Sequence, residues 1–192
     1  VSDMQVLVIN SGSSSIKFRL GEVVEMNGAL ATQPPLLDGS VKGIGGVASL
    51  DIGRPQLGRS TVMAEARDHA QAMRVILNRL GDVLGSIEAV GHRVVHGGDR
   101  YVESAVITEQ VEAGIDELSD LAPLHNPACL AGIRAAKAVL DPRIPMVAVF
   151  DTAFHRTLPD GARRYVIPTD LADRHHILRY GFHGIAHGAL AN

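Results

Sequence analysis

Tryptophan is absent from this 192-residue sequence, cysteine occurs once, and aromatic residues make up only 4%. A single cysteine, Cys129, excludes an internal disulfide and suits a reducing cytoplasm, where the chain is expected to work. No apolar run approaches the roughly 20 residues of a membrane-spanning helix. The start, Val1-Ser2-Asp3-Met4, has neither the basic nor the apolar region of a signal peptide. Basic residues are not in excess: 18 Lys and Arg stand against 21 Asp and Glu, a formal net charge of −3. Neither nucleic acid nor a membrane is therefore an expected partner. What is present, 46% hydrophobic and 20% charged residues, is ordinary for a globular protein. The length suits one domain, or one domain and part of another, with a real core.

Gln5 to Ile9 is a short continuous apolar run, which predicts a buried strand. Asn10 to Ser15 reads as a turn, and Ile16, Phe18 and Leu20 alternate with Lys17 and Arg19 as in a half-covered strand. Residues 33–60 are rich in glycine and proline, with a strand predicted over Val47–Ile52. From Ala64 to Leu80 the spacing is helical, with Ala66, Ala70, Met73, Leu77 and Leu80 on one face and Gly81 closing the helix. Ile87–Val95 reads as a strand. Thr108 caps a helix carrying Val111, Ile115 and Leu118. Asn126-Pro127 starts another, with Ile133, Ala136 and Leu140 on its face, and Asp141-Pro142 stops it. Met146–Phe150 is a further buried strand. Alternating strands and helices predict an α/β layer fold, in which function gathers where strands end.

Polar clusters follow three of these strands. Asn10-Ser11-Gly12-Ser13-Ser14-Ser15 has the makings of a phosphate cradle, because Gly12 admits an anion to the backbone and adjacent N–H and hydroxyl groups donate to it. It lacks the Gly-Lys-Ser/Thr run of a Walker loop, and a plain polar β-turn explains it too. In Gly91-His92-Arg93-Val94-Val95-His96-Gly97-Gly98, the Arg93 guanidinium suits a carboxylate. Arg93 and Val95 point to one face, placing an anion-binding head beside a small apolar wall; the bland alternative is a surface arginine paired with an acid. After Phe150, Asp151 is placed to orient metal-bound water, position the arginine or move a proton, or simply to make an Asx-turn. His125, just before a helix start, either touches an anion or belongs to a capping segment. His183 sits between Phe182 and Gly184. It either stabilises a transferring phosphoryl group or serves a structural role. His155, His175, His176 and His187 do not form a metal-site spacing.

In combination and order, five blocks resemble the acetokinase (acetate kinase) family of the actin-like and sugar-kinase superfamily. They are Val6–Phe18, Ala89–Gly98, Leu121–Pro127, Val149–His155 and Arg179–Gly184. After Gly184 the sequence, Ile185-Ala186-His187-Gly188, departs from the family's usual Thr-Ser-His.

The resemblance implies an actin-like (ribonuclease H-like) mixed sheet with flanking helices over residues 1–151, and over 152–192 the start of a second, related domain. It implies reversible phosphoryl transfer between ATP and acetate, forming acetyl phosphate and ADP. It places Asn10 near Mg²⁺ (or Mn²⁺) and Lys17 on the ATP side, where Ser13 and Ser15 of the same hairpin also donate. Arg93 is the acetate-binding arginine, Asp151 the acidic residue and His183 the transition-state stabiliser. Val95, Leu124 and Phe182 enclose the acetate methyl, and His125 is counted with the substrate contacts. The family chain is about twice as long, and its glycine-rich nucleotide loops, a second arginine and a metal-linked glutamate have no counterpart here. A homodimer or a complementing carboxy-terminal half is the implied partner. Two alternatives stay open: a propionate or butyrate kinase, and a non-catalytic fragment that needs a partner. Acetate is already ionised at neutral pH, since carboxyl pKa values lie near 4. It needs no base, which favours an orienting or metal-water role for Asp151 over proton removal.

Overall fold

The computed structural model describes residues 3–26 and 29–191. β1 (Met4–Gly12) and β2 (Ser15–Met26) form an antiparallel hairpin. β3 (Ala29–Thr32) pairs with the far end of β2, and β4 (Leu37–Lys42), β5 (Ala48–Arg54) and β6 (Gly58–Ala64) extend the sheet antiparallel on that side. α1 (His69–Leu80) crosses to β7 (Ala89–Val94), which lies parallel to β1. β8 (Ala105–Val106), α2 (Glu109–Glu117) and α3 (Asn126–Lys137) lead to β9 (Met146–Phe150), parallel to β7. The described strands order as β6-β5-β4-β2-β1-β7-β9-β8. A 3₁₀ segment, Asp151–Thr157, then leads to the short α4 (Asp160–Arg163) and α5 (Thr169–Arg174), and finally to α6 (Gly184–Ala191). No helix among the described residues is long and apolar enough to cross a membrane.

The core lies on one face of the sheet. Met73, Ile76, Leu77 and Leu80 of α1 are fully buried and share a cluster with Leu7 and Ile9 of β1 and Ile16 and Leu20 of β2. Burying each such side chain stabilises by about 1.5–3 kcal/mol. A second cluster, Val94, Val95, Ile115, Leu130, Ile133 and Phe150, lies where α2 and α3 meet β7 and β9. The ring of Tyr101 stacks on Phe150 at 4.7 Å. Cys129 is buried here, and desolvation pushes its thiol pKa up, so it is an inert packing residue.

Several expectations need correction. β1 is not buried on both faces: Leu7 and Ile9 are covered, but Val8 is 47% exposed, because α1 and α3 pack against the same side. The helical spacing from Ala64 is misread at its start. Residues 58–64 form β6, where β-branched Thr61 and Val62 pair with β5. The helix begins only after Asp68, whose carboxylate accepts from Gln71 N–H at 2.7 Å. The serine turn is also shorter than read. The strands run to Gly12 and from Ser15, leaving Ser13-Ser14 as the turn and setting Asn10 opposite Lys17 in the ladder. α3 ends at Lys137, and Leu140 follows in a tightened last turn. β3 and β4 were not anticipated. The Met146–Phe150 strand, the Thr108 cap and the helix start at Asn126 fall where predicted.

Candidate active site at the ends of the central strands

Because β1, β7 and β9 are parallel neighbours, their carboxyl ends open on one side, the usual place for a ligand crevice in such sheets. The register sets Ile9 beside His92 and Val94 beside Phe150, so Asn10, Arg93 and Asp151 emerge side by side. β2 returns antiparallel and brings Lys17 next to Asn10. A cleft of about 680 Å³ lies over these ends.

Arg93 is the centre of the cleft. Its Nε and Nη2 donate to Asp151 Oδ2 at 3.1 and 2.5 Å, and its Nη1 donates to Asn10 Oδ1 at 3.1 Å. The Asp151 side chain is 2% exposed and that of Arg93 27%. A guanidinium carries five N–H donors. Three are spent on this scaffold, and one on each terminal nitrogen remains. The arginine is thereby pre-oriented, with charge-assisted hydrogen bonds on two sides and unspent donors for an anion.

The remaining walls come from separate segments. The hairpin supplies Gly12, Ser13, Ser15 and Lys17. Val95, at the exit of β7, is a buried apolar wall. Leu124 and His125 enter from the segment before α3, and Phe182 and His183 from the segment before α6. Leu124 is 75% and Phe182 50% exposed, so the apolar side of the cleft is open. Lys17 and Arg93 against Asp151 leave a formal excess of positive charge in the cleft.

His183 adopts φ +56°, a left-handed conformation uncommon for a side-chain-bearing residue, though more accessible to histidine than to most. His176, outside the cleft, also adopts it, at φ +50°. The surroundings of His183 enforce its conformation. The His183 carbonyl accepts from His187 N–H at 2.9 Å as α6 begins, and the Phe182 carbonyl lies 3.0 Å from His155 Nε2. Gly184 packs so closely that a Cβ there would lie 1.9 Å from the Asp151 carbonyl oxygen. The helix carrying His183 thus rests directly on the exit of β9.

The structure brings every sequence-predicted site residue to this one cleft. Sequence reasoning missed Ala122, Pro123 and the buried pair Asn126 and Thr152 behind the wall. His96 is buried as well. Its Nδ1 accepts from Gly98 N–H at 2.9 Å, and desolvation lowers its pKa, so the ring is held neutral with the proton on Nε2. Among the described residues no group of three or more His, Cys, Asp or Glu is placed to hold a metal ion.

Fold and cleft together describe an actin-like α/β chain with a polar cleft at the ends of its central strands. The chain belongs to the acetokinase family, whose model matches residues 5–192. The acetate kinase of Thermotoga petrophila is 48% identical over 191 residues, covering 96% of this chain and 45% of that protein. Acetate kinase 2 of Clostridium perfringens is 44% identical, covering 96% and 46%. Among solved structures, acetate kinase from Porphyromonas gingivalis superimposes with a TM-score of 0.83 at 39% identity, over 96% of this chain and 46% of that one. A propionate kinase from Francisella tularensis also gives 0.83, at 34% identity and the same coverage. The chain spans about half the length of the curated relatives it matches.

Proposed function

We propose that the cleft is the carboxylate side of an active site that transfers a phosphoryl group between ATP and acetate. The observation that carries this reading is Arg93, braced by Asp151 and Asn10 and left with unspent donors beside the apolar Val95. A short carboxylate has one charged end and one apolar end, and the pair matches both.

The attacking carboxylate oxygen forms a bond to the γ-phosphorus as the bond to the ADP oxygen breaks, and ADP leaves with that electron pair. No proton moves at the nucleophile, because the acid is already ionised. Asp151 therefore acts by holding Arg93. The difficulty is repulsion between two anions. Arg93 offsets it from one side and the hairpin with Lys17, Ser13 and Ser15 from the other, while His183 is placed to donate to the equatorial phosphoryl oxygens.

Asp151 and Asn10 offer one carboxylate and one amide oxygen, both partly spent on Arg93. That set fits a Mg²⁺ ion that keeps most of its waters and rides on the phosphates, rather than one caged by protein. When bound, such an ion neutralises developing phosphate charge. The same reading makes residues 152–192 the opening of a second domain, with exposed Val166 and Leu190 as apolar surface it would cover.

The test is binding first and chemistry second. The purified chain is expected to bind ¹³C-acetate by NMR titration, and Arg93→Ala to lose that binding. Acetyl phosphate formation, assayed as the hydroxamate with ATP and Mg²⁺ once the unmatched half is supplied, should fall on the order of 10³-fold in the variant. Equal acetate affinity in the two chains defeats the proposal. The propionate kinase likeness supports a second reading, in which propionate is preferred. A preference of about fourfold per methylene, equivalent to about 0.8 kcal/mol, decides between them.

A further inference from the structure

Where β7 leaves the sheet, three successive backbone N–H groups are each taken by a side chain. His96 N–H donates to Asn126 Oδ1 at 3.1 Å, Gly97 N–H to Thr152 Oγ1 at 2.9 Å, and Gly98 N–H to His96 Nδ1 at 2.9 Å. Asn126 answers in kind: its Nδ2 donates to the His96 carbonyl at 3.0 Å. His96, Asn126 and Thr152 are all buried. Buried amides must find partners. Here the ladder has ended, and side chains 30 and 55 residues away stand in for it.

The location gives this latch its meaning. Val95 immediately precedes it and Arg93 lies two residues further back. Thr152 follows Asp151, which grips Arg93, and Asn126 follows His125. Three segments that line the cleft therefore meet at residues 96–98, which lie behind its wall and do not themselves line it.

We infer that Asn126 and Thr152 are positioning residues that, through the His96–Gly98 turn, set where Val95 and Arg93 stand against a bound short carboxylate. They thereby fix its affinity and chain-length selectivity. The inference rests on the carboxylate reading of the cleft. A displacement of about 1 Å at a reacting site costs on the order of 100-fold in rate. A Val95 wall that gives by a fraction of that changes the room for one methylene, which is worth about fourfold in selectivity. A latch that only stabilised the fold would lower the melting temperature and leave selectivity where it was.

Thr152→Val keeps the shape and removes the acceptor, whereas Thr152→Ser keeps the acceptor; Asn126→Asp keeps Oδ1 and removes the donor. Each is titrated, in the full chain, with ¹³C-acetate and ¹³C-propionate by NMR, with circular dichroism as the folding check. Thr152→Val and Asn126→Asp are expected to raise the acetate Kd about tenfold and to shift the propionate-to-acetate Kd ratio by about threefold or more. Thr152→Ser should restore both. A second measurement needs no variant: saturating acetate should slow hydrogen exchange at the Gly97 and Gly98 amides, since coupling between the latch and the carboxylate site is reciprocal. Folded variants with unchanged affinity and ratio overturn the latch, as does exchange indifferent to acetate. An unmodified chain that binds no acetate overturns the carboxylate reading itself, and the latch with it.

Discussion

His92 sits one residue from the arginine of the cleft but faces the opposite way, into the core. It is buried, its Nε2 has no hydrogen-bond partner, and burial pushes its pKa down to about 4. In the unfolded chain the same imidazole titrates near 6.5. Between these two values the unfolded state binds the extra proton, so stability rises with pH across that window. His92's contribution is complete above about pH 6.5 and is lost as pH falls toward 4. From the two pKa values, acidification from pH 7.5 to pH 5 costs about 2 kcal/mol at this residue alone. Substitution His92→Leu removes the proton site and the unpartnered nitrogen at similar volume. Urea unfolding followed by circular dichroism at both pH values gives the quantity needed, the difference in stability between the two chains. That difference should move by about 2 kcal/mol in favour of the leucine chain at pH 5. A residual acid-side slope will persist in the variant, because burial also lowers the pKa of His96. A difference independent of pH would refute the reasoning, since it would mean that His92 is hydrated or partnered when folded.

Two further substitutions test the site. Asp151→Asn removes the charge that braces Arg93 while keeping a hydrogen-bonding shape. On the proposed reading, and with the unmatched half supplied, phosphoryl transfer should slow on the order of 100-fold with an unchanged pH–rate profile between pH 5 and 8, whereas loss of an acid limb would identify a base and contradict the proposed orienting role. Gly184→Ala drives a Cβ to within 1.9 Å of the Asp151 carbonyl oxygen. The overpacking should cost about 1–3 kcal/mol, seen as a melting temperature lower by roughly 3–10 °C, together with weaker acetate binding as His183 and its helix shift; an unchanged melt would show that this contact is not close.

What could be read from the sequence was local. An apolar run that ends abruptly in a polar residue, Phe150 before Asp151, marks both a buried strand and its exit, because the two environments demand opposite residue types; after Ile9 the same signal marks only the start of the polar cleft side, since β1 runs on to Gly12. The cap at Thr108 and the helix start at Asn126-Pro127 are equally local. What could not be read was decided by contacts distant in sequence. The bonds that Asn126 and Thr152 make to the His96–Gly98 turn carry no local mark, since their partners lie 30 and 55 residues away. β4 contains Asp38 and Gly39 and follows Pro34-Pro35, so propensity argues against a strand. Pairing with β2 on one side and β5 on the other overrides it. The left-handed backbone of His183 is imposed by the docking of α6 on the β9 exit, which no spacing in Tyr180–Gly184 announces.

The same topology explains why so few residues suffice to build the cleft. Side chains alternate along a strand, so Arg93 faces the cleft only because His92 and Val94 face the core. A slip of one residue between β1 and β7 would exchange them and bury the guanidinium. That register is held from the buried side by Leu7, Ile9, Val90 and Val94. The carboxylate of Asp151, just past the end of β9, and the amide oxygen of Asn10 on β1 then brace from either side an arginine already aimed by the sheet. Packing on one face sets the aim of the charged groups on the other, and the polar contacts at the strand ends only refine it.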